Sequence, residues 1–324
     1  MSPPQEVGAS SLAAMTWRTD DIPDLTGKRA VITGVTGGLG LATAIELGRH
    51  GADLVVTARN AAKADDAVAR IGKAAPGARV DVVSLDLASL ADTTRAAREV
   101  ATTYDRIDIL VNNAGVMATP KSETAEGFEL QIGTNHLGHF AWTATLWPLL
   151  ASSSARIVTV SSFMHRSVTD IDLRSLTKEG SPRRYGRWKS YGESKLADLL
   201  FAMELDRRTK ASGVPVVSVA AHPGYASTNL TKPAAGSKAM FLPGVAMHQV
   251  SKVLGQSAAH GAWPLLMAAT DPELTGGEYL GPSGFSEMRG RPKRVGMTRT
   301  ARDETLASAL WTASESATGI PFDV

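Results

Sequence analysis

One stretch of the sequence, YGRWKSYGESKL, contains the pattern Tyr-x-x-x-Lys twice. Tyr185 is followed by Lys189, and Tyr191 is followed by Lys195. Residues four apart lie on one face of a helix, where their side chains can meet. A lysine cation in this position favours the ionised form of a phenol, which can then exchange protons with a substrate. Only a pair that lies in a helix has this geometry.

Helical periodicity separates the two pairs. Tyr185 follows the segment SPRR and precedes Gly186, a context typical of loops. After Tyr191, apolar residues recur at helical spacing at Leu196, Leu199, Leu200 and Met203. We therefore predict that Tyr191 and Lys195 share a face in the first turn of a helix. Tyr185 is not expected to take part in the chemistry.

A glycine-rich loop lies between the first predicted strand and the first predicted helix. Gly34, Gly38 and Gly40 have the spacing Gly-x-x-x-Gly-x-Gly in the segment TGVTGGLG. Glycines allow backbone N–H groups to approach a pyrophosphate at a helix N-terminus, where the helix dipole favours anions. The pattern predicts a dinucleotide site, which Thr36 and Leu39 between the glycines are also expected to contact. The alternative is a simple tight turn.

The end of the second predicted strand bears on the choice of cofactor. An NAD site usually has an acidic residue roughly 20 residues after the glycine motif. Here the strand ends in Ala58 and Arg59, and an arginine suits a 2′-phosphate. We expect NADP(H) to be favoured over NAD(H), although a solvated surface arginine would look the same. Asp86, at the end of the third predicted strand, and Leu87 after it are further expected cofactor contacts, unless Asp86 caps the next helix.

Composition excludes several other classes of site. The 324-residue chain has a formal net charge of +2 and no cysteine, which excludes disulfides, thiolate catalysis and cysteine-based zinc sites. His136 and His139 have helical i,i+3 spacing, but no third ligand motif accompanies them, so no metal is predicted. The sequence has no basic stripe with interleaved aromatic residues, and we expect no nucleic-acid partner.

The N-terminal segment 1–24 lacks the features of a signal peptide and is interpreted as a polar leader, disordered up to about Ile22. No stretch approaches the roughly 20 apolar residues of a membrane span. We expect a cytoplasmic protein.

Short Val- and Ile-rich runs alternate with longer segments of helical periodicity along the chain. The predicted strands begin at Arg29, Ala52, Arg79, Arg106, Ala155 and Val214, and a late strand is expected in GGEYLG. Near-continuous apolar runs are typical of parallel strands that are covered on both faces. Repeated β-α-β order predicts an α/β fold, with a Rossmann-type doubly wound parallel sheet flanked by helices. We predict a single domain over residues 25–324, with a substrate lid at about 231–256.

Three motifs occur in a familiar order: TGVTGGLG, NNAG (112–115) and YGESK. With them, the sequence resembles the short-chain dehydrogenase/reductase family over almost its whole length. The segment HPGY and the tail GPSGFSEMRGRPK are most similar to the retinol-dehydrogenase-like branch and its bacterial relatives. The resemblance implies hydride transfer between NADP(H) and a carbonyl or alcohol, with Tyr191 as general acid/base.

The resemblance also implies roles for individual residues. The catalytic set would be Asn135, Ser162, Tyr191 and Lys195, with Ser161 as the alternative to Ser162. Ser162 would bond the substrate oxygen, Asn135 would hold a water in a proton path, and Lys195 would bond the nicotinamide ribose. Further cofactor contacts would be Asn112, Ala114, Gly115, Pro223, Gly224 and Thr228.

Two segments are expected to shape the substrate pocket. The stretch 231–250 contains Met240, Phe241, Leu242 and Met247, which suit an apolar lid over a lipophilic substrate. The insertion Phe163–Lys189 carries, towards its end, the basic residues Arg183, Arg184, Arg187 and Lys189. Such a run is usually a solvated face, and the alternative is contact with an acidic substrate or help in closing a lid.

Other interpretations remain open at this level. One is a protein that binds NADP(H) as a sensor without turnover, and another is an enzyme of the same fold that reduces C=C bonds or epimerises sugar nucleotides. Relatives often dimerise through the tyrosine helix and the helix after Asn135, so a homodimer or homotetramer is one expectation. The apolar residues of that helix, Trp142, Leu146, Trp147 and Leu150, suit such an interface and a core-facing role equally well.

Overall fold

An eight-stranded sheet runs through the part of the protein that the computed structural model describes, residues 17–180, 183–225 and 256–324. The strands are β1 (Arg29–Thr33), β2 (Asp53–Ala58), β3 (Val80–Ser84), β4 (Ile109–Asn112), β5 (Arg156–Val160), β6 (Val217–Ala221), β7 (Tyr279–Pro282) and β8 (Pro292–Arg294). Their order is β3-β2-β1-β4-β5-β6-β7-β8, parallel up to β7, with β8 antiparallel to β7. The predicted doubly wound parallel sheet and the late strand are confirmed, whereas β8 was not predicted.

Helices cover both faces of this sheet. They are α1 (Gly38–Arg49), α2 (Ala61–Ala74), α3 (Leu90–Thr103), α4 (Leu130–Ile132), α5 (Gly138–Ser152), α6 (Arg187–Ser212), α7 (Ala258–Gly261), α8 (Trp263–Thr270) and α9 (Glu304–Thr318). A π-helical turn, Gly133–Leu137, joins α4 to α5. No helix of the described ranges is both long enough and apolar enough to cross a bilayer.

Alternating side chains of β1 enter apolar cores on opposite faces of the sheet. Ile32 of β1 packs with Leu47 of α1 and Leu266 of α8 on one face of the sheet. Val31 packs on the other face, in the core that contains Val100 of α3 and Phe201 of α6. Because both faces are covered, inner strands carry continuous apolar runs.

The third strand departs from this pattern. We expected β3 to be buried, but it forms the edge of the sheet, and the side chain of Val82 is 43% exposed. An edge strand has a neighbour on one side only, so an apolar run does not by itself show burial on both faces.

The N-terminal boundary also needs correction. Trp17 and Ile22, which we assigned to the polar leader, are buried in the core beside β1 and β2. The packed part of the described chain therefore starts before Leu25.

The apolar residues of α5 pack inside their own chain. Trp142, Leu146, Trp147 and Leu150 are buried in the core shared with α3 and α6. Phe322, after α9, packs edge-on against Trp147, with ring centroids 5.4 Å apart. Of the two explanations for this apolar face, the structure supports the core-facing one.

Two basic residues of the insertion form ion pairs at the surface. Arg183 lies 2.9 Å from Asp170 and 3.5 Å from Asp172, and Lys189 lies 3.7 Å from Glu193. This agrees with a solvated face. The predicted lid residues 231–255 and Thr228 lie outside the described residues.

Candidate active site

Helix α6 brings the second Tyr-x-x-x-Lys pair to the edge of a cleft. The helix begins at Arg187 because Gly186 is extended and acts as its N-cap, so Tyr191 lies in the second turn rather than the predicted first. Tyr185 precedes the helix, and its hydroxyl donates to the Thr119 carbonyl oxygen at 2.8 Å. The prediction that only Tyr191 and Lys195 form a helical pair is confirmed.

The cleft has a volume of about 740 Å³ and lies past the carboxyl ends of β1, β2, β4 and β5. This is where ligands bind in doubly wound sheets, since the strand order changes direction between β1 and β4. The predicted site residues that line it are Gly34, Thr36, Gly38, Leu39, Gly40, Arg59, Asp86, Leu87, Ala114, Gly115, Ser162, Tyr191, Lys195, Pro223 and Gly224. Residues from distant parts of the sequence thus meet at one site.

The two adjacent serines after β5 differ in what their hydroxyls bind. Ser161 donates its only hydroxyl hydrogen to the Lys195 carbonyl oxygen at 2.7 Å. Ser162 instead accepts a hydrogen bond from the Met164 N–H at 3.2 Å, which leaves its own hydrogen to donate. Ser162 is therefore the serine that is able to bond a substrate oxygen in the cleft.

Asn135 lies in the π-helical turn and is fully buried. Its amide oxygen accepts from the Val116 N–H at 2.8 Å, and its amide nitrogen donates to the Val116 carbonyl and to Ser194 Oγ. Both amide hydrogens are therefore used. The side chain secures the segment after β4 to α6, and the part of Asn135 in a proton path with a water stays a prediction.

Asn112 does not line the cleft, which corrects its predicted role. It points to the α5 side of the sheet, where its amide nitrogen donates to Thr143 Oγ1 at 3.0 Å. Asn113 lines the cleft instead, and its amide nitrogen donates to the carbonyl oxygen of Thr33 at 2.7 Å. Side chains alternate across a strand, so a step of one residue changes the face.

The glycine loop is closely packed against this segment. A Cβ atom on Gly34, whose φ is +75°, would lie 2.8 Å from the Cα of Ala114. A Cβ on Gly40 would lie 2.5 Å from both the Gly34 carbonyl oxygen and the Asn113 amide nitrogen. The N-terminus of α1 can therefore approach a pyrophosphate only with glycine at these positions, and the loop fits a dinucleotide.

Charged side chains gather at the far end of the cleft, beyond β2. Arg59 and Lys63 both line it. Arg59 precedes α2, and Lys63 lies in the first turn of that helix. Asp86, just after β3, lies 3.7 Å from Arg59, so an acid does reach this position although β2 supplies none. Ser89, not Asp86, caps α3. Sequence reasoning missed Lys63, and the available signal was its place in the first turn of the helix that follows Arg59.

Comparisons with known proteins agree with this architecture. The family model for short chain dehydrogenase matches residues 28–169. Polyprenol dehydrogenase of Mus musculus is 36% identical over 314 residues, which cover 94% of this chain and 87% of that protein. The chain belongs to the short-chain dehydrogenase family. It is an oxidoreductase of the retinol-dehydrogenase-like branch.

One further relative supports the assignment to this branch, and a solved structure shares the fold. Retinol dehydrogenase 13 of Homo sapiens is 35% identical over 299 residues, covering 91% of this chain and 86% of that protein. The crystal structure of an uncharacterized protein from Mycobacterium paratuberculosis superimposes with a TM-score of 0.77 at 36% identity. That match covers 95% of this chain and 100% of the mycobacterial chain.

The two histidines beside Asn135 are internal packing groups of this short-chain dehydrogenase. Burial lowers the pKa of His139 to about 4 and that of His136 to about 3, so both rings are neutral at physiological pH. His139 Nδ1 donates to the Asn135 carbonyl, and His136 bonds Ser314. No cluster of potential metal ligands occurs among the described residues. These contacts agree with the expectation of polar packing.

A polar network that sequence reasoning missed supports the loop after β6. His222 is fully buried, and its Nδ1 accepts from the Gly224 N–H at 3.2 Å. Its Nε2–H therefore donates to Glu287, at 3.0 Å, and Glu287 also accepts from Arg166. These hydrogen bonds hold the pKa of Glu287 at about 2, against the effect of burial. They tie Gly224 of the short-chain dehydrogenase cleft to a segment about 60 residues away in sequence, so no local motif signals them.

Proposed function

We propose that the protein is an NADP(H)-dependent oxidoreductase that interconverts a lipophilic carbonyl compound and its alcohol. The main support for this proposal is that Ser162, Tyr191 and Lys195 line one end of a cleft. The other end of the same cleft suits a dinucleotide. A protein that only senses the cofactor has no need of this set. Similarity to dehydrogenases of polyprenol and retinol supports the same chemistry.

The proposed mechanism divides the work among three side chains. When bound, the nicotinamide supplies or accepts the hydride. In the reducing direction, the Tyr191 hydroxyl gives its proton to the substrate oxygen, while the Ser162 hydroxyl donates a hydrogen bond to the same oxygen. The ammonium group of Lys195 stabilises the phenolate that Tyr191 becomes. Oxidation of an alcohol uses the same groups in reverse, with Tyr191 as the base.

The cofactor preference rests on the charged end of the cleft. Arg59 and Lys63 supply two cations for a 2′-phosphate, while Asp86 stands close to Arg59. Two cations against one carboxylate favour the phosphorylated cofactor.

Apolar side chains support the choice of a lipophilic substrate. The wall around Ser162 and Tyr191 includes Met117, Phe163, Met164, Trp188 and Tyr225. Among the described lining residues, the charged ones other than Lys195 are Arg59, Lys63 and Asp86, all at the opposite end. A long alkyl or polyene chain would bury its surface against this wall.

Straight-chain aldehydes test this proposal directly. With NADPH, kcat/KM is expected to rise by about two- to fourfold for each added methylene until the wall is covered, since each buried methylene contributes about 0.8 kcal/mol. Loss of NADPH absorbance gives the rates, and identification of the alcohol product excludes C=C reduction. A panel of enals, tested in parallel, would favour the C=C reductase alternative if only the double bond were reduced. Equal rates for all chain lengths would contradict a lipophilic site.

The cofactor preference has its own test. Arg59→Ala is expected to weaken NADPH binding by about tenfold, because a charge-assisted hydrogen bond contributes about 1.5 kcal/mol at so exposed a position. NADH binding should change little, since NADH carries no 2′-phosphate. Calorimetry with both cofactors measures the two effects.

The matched control for Arg59→Ala is Lys73→Ala, at the opposite end of α2 and outside the cleft. It should leave the dissociation constants of both cofactors unchanged. If wild-type protein bound NADPH and NADH equally, the preference for NADP(H) would be wrong. The assignment of the protein as an oxidoreductase would not be affected.

A further inference from the structure

A buried carboxylate that the proposed mechanism does not use lies directly behind Lys195. Asp198 follows Lys195 by three residues on α6, and its Oδ2 accepts from the Lys195 ammonium at 2.8 Å. The side chains of Asp198 and Lys195 are only 3% and 7% exposed. A buried carboxylate is costly unless it is paired, so this position calls for an explanation.

The contacts of Lys195 suggest why a carboxylate is buried at this position. Its ammonium also donates to the Val160 carbonyl at 2.9 Å, so two of its three N–H groups are held by buried acceptors. A Cβ atom on Gly115 would lie 3.7 Å from the ammonium nitrogen. Gly115 and Lys195 both line the cleft. No described residue takes the third N–H, which is thus left for a ligand.

We propose that Asp198 is a positioning residue, which holds the Lys195 ammonium beside Gly115 and keeps it charged for the cofactor. This inference rests on the proposed function, because it assigns a partner to a residue of that site. Asp198 itself touches neither the cleft nor the reacting atoms, and it acts only through Lys195.

The charges around the pair agree with this role. Burial disfavours the charge on Lys195, but Asp198 and Tyr191 outweigh it, so the pKa of Lys195 is raised. Burial raises the pKa of Asp198, but the Lys195 ammonium at 2.8 Å opposes this and favours the ionised carboxylate. The nearby titratable group from α5 is His139, which is neutral. Asp198 is therefore the counter-ion of Lys195 at neutral pH.

The test is the dissociation constant of NADPH, measured by calorimetry at pH 7 and pH 9 on Asp198→Asn. Asparagine keeps an acceptor of similar shape but not the charge, so the buried ammonium should lose its proton at a lower pH than in the wild type. We expect near-wild-type binding at pH 7 and at least tenfold weaker binding at pH 9. A purely structural role would not change the pH dependence.

The matched control is Asp206→Asn. Asp206 lies on the same helix and accepts from Lys210 at the same distance, 2.8 Å, but it does not line the cleft. It should bind NADPH as the wild type does at both pH values. The inference is overturned if Asp198→Asn binds as the wild type does at pH 9, or if the two variants weaken binding equally.

A cofactor-free measurement separates this inference from the proposed function. Asp198→Asn should lower Tm by at least about 5 °C, because it leaves a buried ammonium without a counter-ion. Adding Lys195→Met should restore part of the loss. If wild-type protein bound neither NADPH nor NADH, the proposed function would fail. The inference would then be judged only on the Tm values of the two single variants and the double variant. Additive effects of Asp198→Asn and Lys195→Met on Tm would overturn it.

Discussion

Replacing Tyr191 with phenylalanine is expected to lower kcat by about 1000-fold, because proton transfer by a positioned side chain contributes on the order of 100- to 10,000-fold. Tyr191 lines the cleft, and its ring packs edge-on against Trp188 with centroids 6.4 Å apart. Phenylalanine keeps this ring contact and removes only the hydroxyl. Binding of NADPH should therefore change little. Steady-state rates with an aliphatic aldehyde, together with calorimetry, separate the two effects.

The chain offers a matched control in Tyr185→Phe. This tyrosine is part of the other Tyr-x-x-x-Lys pattern, and its hydroxyl bonds Thr119 and Gln131 instead of facing the cleft. We expect it to lower the free energy of unfolding by about 1 kcal/mol without loss of turnover. A large loss of kcat in Tyr185→Phe, or near-normal kcat in Tyr191→Phe, would reverse our assignment of the general acid.

Gly40→Ala is expected to weaken NADPH binding by about 100-fold, which corresponds to about 2.7 kcal/mol. The new Cβ would lie 2.5 Å from the Gly34 carbonyl oxygen and 2.5 Å from the Asn113 amide nitrogen. Relief of both clashes has to move the glycine loop away from the N-terminus of α1, where the phosphates are expected to bind. Calorimetric titration with NADPH measures the loss, and circular dichroism shows whether the fold is retained.

Gly72→Ala is the control for this change. Gly72 is also helical, in α2, but a Cβ placed there would meet nothing within 4 Å. Alanine at an open helical position should raise the free energy of unfolding by roughly 0.5–1 kcal/mol, with no effect on NADPH. Equal binding by the Gly40→Ala variant and the wild type would show that the loop does not hold the pyrophosphate.

The sequence by itself determined the alternation of strands and helices and the pair that a helix would align. Both follow from local properties, since apolar periodicity reports which face of an element is buried. Tyr191 was separated from Tyr185 because Gly186 and the SPRR segment interrupt the helical pattern, and α6 does begin at Arg187. The glycine loop was recognisable because its position between a strand and a helix is a property of a short segment.

Other features depended on contacts that no short segment contains. Whether Asn113 or Asn112 lines the cleft depends on the direction in which each side chain points at the end of β4. The exposure of Val82 depends on β3 lying at the edge of the sheet. The burial of Trp17 requires the completed core against which it packs. These features follow from the assembled sheet.

The electrostatic pairs likewise depend on the tertiary structure rather than on the local sequence. The pairing of Arg59 with Asp86 joins the ends of two neighbouring strands, and Glu287 reaches His222 across 65 positions of sequence. Lys195 and Asp198 are only three residues apart, yet their spacing does not reveal that both are buried. Burial sets the energy of a charge, and burial is decided by the neighbours that the tertiary fold supplies.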